Sequence, residues 1–137
     1  MKITLGHIAD EEYFAVSEQG IRVDIDMLAA DEKKAMSPMQ LLLSGVVSCA
    51  AVDLVAMVKK RRKTIVEFSG EIEGIRRDEI PKKFTEINIV YHFVSPDLQE
   101  EEAQKLVNLA VEKYCSVASS LDPSIKMSHG VKITRPE

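Results

Sequence analysis

The residues of this chain that could carry chemistry are its two cysteines, Cys49 and Cys115. They are too far apart in sequence for a CxxC redox motif or a zinc-ligand pattern. The histidines His7, His92 and His129 show no i,i+4 pairing, which argues against a metal site or a Cys-His dyad and favours surface or structural roles. Each cysteine could be a small buried hydrophobic residue or a reactive thiol. A reactive thiol needs a neighbour that lowers its pKa, because only the thiolate is nucleophilic.

Cys49 lies in the middle of a segment that is predicted to be a long helix. Ser37 and Pro38 form a helix-start signal, with serine as the cap and proline in the first helical position. Residues 41–58 are apolar on almost every face, and the basic residues 59–63 suit a helix C-terminus. Because Cys49 is far from the first turn, the helix dipole stabilises its thiolate little, and we expect a cationic neighbour to do so.

The apolar segment 41–58 followed by a basic cluster is also typical of a single membrane span. Against that interpretation, Asp53 would lie in hydrocarbon, and Ser44, Gly45 and Ser48 interrupt the apolar surface. We therefore expect a helix buried in protein on every face, with no membrane involved. A monomer of this size can hardly surround such a helix, so we expect a second copy of the chain to cover part of it.

Segments with a two-residue period flank this helix on both sides. Alternating apolar residues before residue 26 predict three short antiparallel strands. Residues 64–77 and 84–94 keep the same period and predict a hairpin in which Arg76 falls on the apolar face. The remaining predicted elements are a helix from Ser95 to about Cys115, a short helix at 116–121 and a strand at 125–134.

The length of 137 residues, with 45% hydrophobic and 29% charged residues, suits one globular domain over residues 1–137. The element order βββ-α-ββ-α-α-β predicts an α+β fold with antiparallel sheets around a long central helix. A net charge of -4 with 5% aromatic residues gives no basic footprint or stacking platform, which argues against nucleic acid as a partner. The low cysteine count and the lack of a signal-peptide run in residues 1–20 predict a cytoplasmic protein.

Two segments of the chain each contain one of the cysteines. They are Ser37-Pro38 with Leu41-Leu42-Leu43-Ser44-Gly45-Val46-Val47-Ser48-Cys49, and Glu112-Lys113-Tyr114-Cys115-Ser116-Val117-Ala118. Together they resemble the OsmC/Ohr family of thiol-dependent peroxidases, and most closely its YhfA-like OsmC subgroup. One such segment would be a weak signal, whereas two at a matching distance are specific. The resemblance covers essentially the whole chain, since the order of predicted elements is also that of the family.

The resemblance implies an intertwined homodimer with two active sites at the subunit interface, each holding both cysteines of one chain. By that analogy Cys49 is the peroxidatic cysteine, Cys115 is the resolving one, and the substrates are organic hydroperoxides. An external dithiol then reduces the disulfide, and the reaction needs no metal, flavin or haem. The resemblance extends through Arg76 and Pro81, which supports Arg76 as the cation beside Cys49. The alternative is that Arg76 extends into solvent at the end of its strand.

The sequence departs from the family pattern where a glutamate would orient the arginine. Met39 and Gln40 stand there, and Gln40 can accept a hydrogen bond but brings no charge. We expect Met39, Gln40 and Glu112 near the substrate, with Glu112 or Asp53 as a replacement anion, although Glu112 also suits a solvated helix surface. The missing glutamate keeps a second function open, that of a non-catalytic dimer that binds an apolar ligand and uses its cysteines structurally.

Overall fold

The computed structural model describes all 137 residues of the chain. Its contacts divide the chain into two units, Met1–Leu42 and Leu43–Glu137. The long helix α1, Pro38–Lys60, begins in the first unit and ends in the second. A mixed α+β fold with two small sheets and a long helix is the class that the sequence predicts. The single domain expected over residues 1–137 stays a prediction.

The first unit contains a three-stranded antiparallel sheet in the order β1-β2-β3. Its strands are β1, Ile3–Ala9, β2, Glu12–Ser17, and β3, Arg22–Asp26. The three predicted strands are therefore confirmed. Gly20 lies in the turn between β2 and β3 with a φ of 82°, a conformation that glycine adopts without steric cost.

One face of this first sheet is apolar and exposed. On the opposite face, the ring of Phe14 covers Gly6, and the guanidinium of Arg22 lies 4.1 Å from the centroid of that ring. The unit's one buried residue is Asp26, so the sheet has no hydrophobic core of its own. The large apolar residues that share the exposed face are Ile3, Leu5, Tyr13 and Val23.

The buried carboxylate of Asp26 organises the turn that leads from β3 to α1. It accepts hydrogen bonds from the ammonium of Lys33 at 2.6 Å and from the backbone N–H groups of Lys34 and Ala35 at 2.8 and 2.7 Å. The hydrogen bond with Lys33, reinforced by those backbone donors, lowers the pKa of Asp26 to about 2. The carboxylate therefore stays ionised and holds the turn at all physiological pH values.

Helix α1 has well-formed ends. At its start, the Ser37 hydroxyl accepts from the Gln40 N–H at 3.2 Å, and the Gln40 side-chain oxygen accepts from the Ser37 N–H at 2.8 Å. This reciprocal pair is a capping box. Beyond its end, Arg62 takes a left-handed φ of 59° and donates its N–H to the carbonyl of Lys59 at 2.9 Å. The start and end of the predicted helix are thus confirmed.

Helix α1 is apolar all round but is buried along one stripe only. Val52, on another face, is 70% exposed, and 22% of the most apolar stretch of the helix is buried. One chain therefore leaves much of the helix exposed, and the expectation that a second copy covers the rest stays a prediction. The helix is long and apolar enough to cross a membrane, but core helices of soluble proteins share these properties, so this is weak evidence for a span. The buried stripe consists of Val46, Ala50, Leu54 and Val58.

The second unit contains a three-stranded sheet in the order β4-β5-β6. The strands β4, Glu67–Arg76, and β5, Phe84–Val94, form the predicted antiparallel hairpin. The strand β6, Lys126–Thr134, pairs with β5 in parallel, which corrects the expectation of purely antiparallel sheets. A parallel pair needs a crossover, and the helical segments between β5 and β6 supply it. The first of them is α2, Glu100–Leu109.

The hydrophobic core of this unit lies on one face of β5. From Ile87 to Phe93 every second residue of that strand is buried, as the sequence period predicts, and α2 covers the sheet with its own apolar stripe. After α2 the chain makes a π turn, Ala110–Tyr114, and then the short helix α3, Ser116–Ser119, so that Cys115 stands between the two. The buried core residues of β5 and α2 are Phe84, Ile87, Ile89, Tyr91, Phe93, Ala103, Leu106 and Val107.

Candidate active site

The fold makes the two distant cysteines neighbours, each of which affects the pKa of the other. Cys49 lies on α1 and is half-buried, whereas Cys115 precedes α3 and is fully buried. Both are free thiols, and the Cys115 thiol has the carbonyl of Val46 as its hydrogen-bond acceptor at 3.8 Å. Proximity of this kind is a requirement for a disulfide between two cysteines.

The surroundings of Cys49 favour its thiolate. The backbone N–H of Val117 lowers the pKa of Cys49 most, and the Cys115 thiol and the N–H of Ser116 lower it further. Partial burial and the negative charge of Asp53 act in the opposite direction without reversing the shift. The sequence leads us to expect a cation that lowers the pKa of Cys49. In the structure, backbone N–H groups lower it.

The surroundings of Cys115 favour its neutral thiol. Burial raises its pKa most, and the proximity of Cys49 raises it further. The N–H of Ala118 donates to the Cys115 sulfur at 3.3 Å, which caps α3 but does not offset the burial. One sulfur is therefore poised to be an anion while the other keeps its proton.

The turn of α1 that precedes Cys49 is fixed from two sides. Tyr91 donates its hydroxyl hydrogen to the carbonyl of Val47 at 2.6 Å, and the Cys115 thiol approaches the carbonyl of Val46 at 3.8 Å. A Cβ atom added at Gly45 would lie 3.6 Å from a methyl group of Val117, so α1 and α3 are in close contact at this glycine.

The structure places Arg76 at the exposed end of β4. The pairing register shifts between Ile75 and Arg76, and the Arg76 guanidinium donates to the carbonyl of Lys82 at 2.6 Å. The groups that govern the pKa of Cys49 belong to α1 and to residues 115–117, and Arg76 is not one of them. Within one chain, therefore, Arg76 does not affect the pKa of Cys49, and its role as the cation beside the cysteines stays a prediction.

Of the other residues expected near the substrate, Met39 and Gln40 lie at the start of α1, and Glu112 lies between α2 and Cys115. Gln40 closes the capping box of α1, and Met39 is half-buried in the same first turn. Glu112 lies in the π turn, largely exposed, with a carboxylate oxygen 3.3 Å from the Nε2 atom of His129. No group of three or more His, Cys, Asp or Glu side chains is arranged to hold a metal ion. Substrate contacts of Met39, Gln40 and Glu112 stay predictions.

Sequence reasoning missed the backbone donors of Val117 and Ser116 and the hydroxyl of Tyr91. Residue type does not reveal which backbone N–H groups act as donors, because every residue except proline has one. Tyr91 is one of several apolar residues on the buried face of β5. The usable signal is the predicted short helix that begins directly after Cys115, because the first N–H groups of a helix are unpaired and point outward. A cysteine on a facing helix can use them.

Comparison with known proteins identifies the family. The OsmC-like protein family matches residues 29–130 of the chain. The protein YhfA of Escherichia coli K12 is 31% identical over 121 residues, which cover 88% of this chain and 89% of YhfA. The chain belongs to the OsmC-like protein family. The resemblance inferred from the two cysteine segments is therefore confirmed.

Solved structures share the fold of this OsmC-like chain. The crystal structure of an OsmC-like protein from Mycoplasma pneumoniae superposes with a TM-score of 0.80 at 22% identity, covering 99% of this chain and 96% of that one. The organic hydroperoxide resistance protein OhrB of Bacillus subtilis gives a TM-score of 0.64 at 21% identity, covering 96% of this chain and 98% of that one. These similarities confirm the α+β fold with its two small sheets and long helix.

Proposed function

We propose that the chain is a thiol-dependent peroxidase that reduces organic hydroperoxides through Cys49 and Cys115. The observation that carries the proposal is the opposite pKa shift of two adjacent thiols, lowered at Cys49 and raised at Cys115. A half-buried thiolate beside a protonated thiol is what a two-cysteine peroxidase requires of its attacking and resolving residues. The substrate class is supported by family members such as OhrB, which is named for resistance to organic hydroperoxides.

The reaction follows from these protonation states in three balanced steps. The Cys49 thiolate attacks the distal oxygen of the hydroperoxide, the O–O bond breaks, and the alkoxide takes a proton and leaves as an alcohol. The sulfur of Cys115 then attacks the sulfenic acid of Cys49, so that the S–S bond forms and the hydroxyl leaves with the Cys115 proton as water. An external dithiol reduces this disulfide and is itself oxidised to a disulfide.

The proposal includes a homodimer in the cytoplasm. Two exposed apolar surfaces in the chain support it, one on the first sheet, with Leu5 66% exposed, and one on α1, with Val52 70% exposed. Exposed apolar patches of this kind are typical of surfaces that another protein covers. A symmetric dimer buries the same surfaces on both copies, which makes a second copy of the chain the simplest occupant.

Arg76 has a defined place in the proposal. An arginine beside Cys49 would stabilise the thiolate and the charge that develops on the departing alkoxide. Since Arg76 bonds the Lys82 carbonyl at the chain surface, its guanidinium would have to reach a site in the dimer. We expect Arg76→Ala to slow the reaction with hydroperoxide and to raise the pH at which Cys49 is alkylated. An unchanged alkylation profile would remove Arg76 from the site.

Thiol titration before and after one equivalent of cumene hydroperoxide tests the proposed function. We expect both thiols of each chain to disappear and mass spectrometry to find one Cys49–Cys115 disulfide. Cys49→Ser should abolish the reaction, and Cys115→Ser should stop it at the sulfenic acid, which dimedone traps.

A second candidate function is a non-catalytic dimer that binds an apolar ligand. It is favoured by the use of Gln40 as a helix cap, in place of a charged residue that could orient an arginine. In that case the thiols would stay unchanged after hydroperoxide is added to the folded protein. Such a result would reject the peroxidase and support the binding module.

A further inference from the structure

Tyr91 lies in the middle of β5 and links the sheet to the helix that carries Cys49. Its side chain is almost completely buried, at 1% exposure, and its hydroxyl donates to the carbonyl of Val47 at 2.6 Å. Val47 precedes Cys49 by two residues on α1. The hydroxyl of Tyr91 therefore sets the distance between the sheet and the helical turn from which Cys49 projects.

The ring of Tyr91 is itself held in one place. It stacks on Phe68 with ring centroids 5.5 Å apart, and it lies over Gly70, its direct partner across the β4–β5 pair. A Cβ atom at Gly70 would lie 2.8 Å from the ring, closer than real contacts permit. The glycine thus makes the room that lets the phenol reach α1, and a ring fixed in this way has little freedom to move its hydroxyl.

The same turn of α1 also receives the second cysteine. The carbonyl of Val46 is the partner of the Cys115 thiol at 3.8 Å, next to the Val47 carbonyl that Tyr91 holds. Burial raises the pKa of Tyr91 well above its usual range, and nearby charge on either sulfur would raise it further, so the phenol stays protonated and keeps its donor. The adjacent carbonyls of Val46 and Val47 are therefore hydrogen-bonded to Cys115 and to the sheet residue Tyr91, respectively.

We propose that Tyr91 is a positioning residue for the formation of the Cys49–Cys115 disulfide. The inference deepens the proposed function and rests on it for its biological meaning. In the closing step the Cys115 sulfur must approach the Cys49 sulfur in line with the S–O bond that breaks, on the side opposite the oxygen. Small errors in this alignment slow the reaction steeply. By fixing the Val47 carbonyl, Tyr91 keeps the sulfur of Cys49 within reach of Cys115.

The test measures how readily the two thiols close into a disulfide in glutathione redox buffers, without any hydroperoxide. Oxidised glutathione forms a mixed disulfide with Cys49, and Cys115 then displaces glutathione, so the closure rate at a fixed pH reports the position of the two sulfurs together with the thiolate fraction of Cys115. We expect Tyr91→Phe, which removes the hydroxyl and keeps the ring, to slow closure and to lower the effective concentration of the pair by about tenfold. The rate at which iodoacetamide alkylates Cys49 should change less than about twofold, because its amide donors remain.

A matched control separates positioning from general loss of stability. Ile89→Val also trims the β5 core but removes no hydrogen bond to α1, so closure should match the wild type even if the melting temperature falls. Gly70→Ala should slow closure by displacing the ring while its hydroxyl is still present, which gives a second route if Tyr91→Phe folds poorly. Unchanged closure in folded Tyr91→Phe, or an equal loss in Ile89→Val, would overturn the proposal.

The same variants distinguish this proposal from the proposed function. If the wild-type disulfide forms in glutathione but hydroperoxide oxidises neither thiol, the proposed peroxidase function is wrong. The closure rates of the variants then still decide whether Tyr91 positions the two sulfurs. If hydroperoxide does oxidise the wild type, Tyr91→Phe should accumulate the Cys49 sulfenic acid, which dimedone traps, with little change in the rate of the first step. Rapid closure with no trapped sulfenic acid would contradict the role given to Tyr91.

Discussion

Cys49 and Cys115 have the same side chain but stand in opposite surroundings. Cys49 projects half-buried from the middle of α1 toward the backbone N–H groups of Val117 and Ser116, which lower its pKa. Cys115 is sealed in the core at the start of α3, and burial raises its pKa. The difference comes from position in the fold, since neither residue has a charged side chain as its main neighbour.

This contrast shows how one short segment can serve both thiols. The N–H groups that favour the Cys49 thiolate follow directly after Cys115 in the chain, so the segment that carries one sulfur also activates the other. A helix start supplies such donors without a charged residue.

The largest effect that we expect from the opposite pKa shifts of Cys49 and Cys115 is selective alkylation of Cys49. At pH 7 we expect iodoacetamide to modify Cys49 at least about 100-fold faster than Cys115, because only thiolates react and a buried thiol must wait for local opening. The sign is fixed by the shifts: a lowered pKa at Cys49 means more thiolate at a given pH, and a raised pKa at Cys115 means less. Peptide mapping by mass spectrometry after timed quenching measures the ratio.

Denatured protein provides the control for this ratio, since both cysteines should then react at similar rates. As the pH rises, alkylation of Cys49 should level off first and that of Cys115 should continue to increase. Similar rates in the folded protein would contradict the predicted difference between the thiols, and faster reaction at Cys115 would reverse the assignment of attacking and resolving residues.

Much of the fold could be predicted because its elements depend on local sequence. The cap at Ser37, the apolar run of α1 and the alternation along β5 are short-range patterns, and the structure confirms each of them. The parallel pairing of β6 with β5 was not predictable in this way, because the direction of a strand depends on the path of the crossover. Period alone does not distinguish the two pairings.

The candidate site was less predictable than the fold. The residue types of Cys49 and Cys115 point to thiol chemistry, but their pKa values are set mainly by a backbone N–H group at Cys49, which any residue could supply, and by burial at Cys115. Arg76 shows the converse, because its place on the apolar side of a strand suggested a buried cation, whereas it lies exposed at a shift in strand register. A side chain at a strand end can reach solvent whichever face it starts from.

A substitution at Gly45, where α1 contacts α3, should have a moderate effect on the difference in reactivity between the two thiols. Gly45→Leu should push the Val117 side chain away and carry its N–H with it, so that alkylation of Cys49 at pH 7 falls about fivefold and the difference between the thiols narrows. Gly45→Ala is the matched control, because its methyl group fits at 3.6 Å and it should stabilise the helix by about 0.5–1 kcal/mol. Thermal melts and alkylation profiles of both variants measure these effects. Equal alkylation in Gly45→Leu and wild type would show that the donors do not depend on this contact.

The smallest expected effect comes from Asp53, which lies one helical turn beyond Cys49. Its negative charge raises the pKa of Cys49 against the action of the amide donors, so Asp53→Asn should lower that pKa further and widen the contrast with Cys115. Below the pKa of Cys49, where the thiolate fraction limits the rate, alkylation should rise by up to about threefold, and added salt should shrink the gain by screening the charge in wild type. Glu100→Gln, on the exposed start of α2, changes the net charge equally and should leave the profile unchanged. A slower rate in Asp53→Asn would mean that this carboxylate supports the thiolate, for instance by orienting a cation beside it.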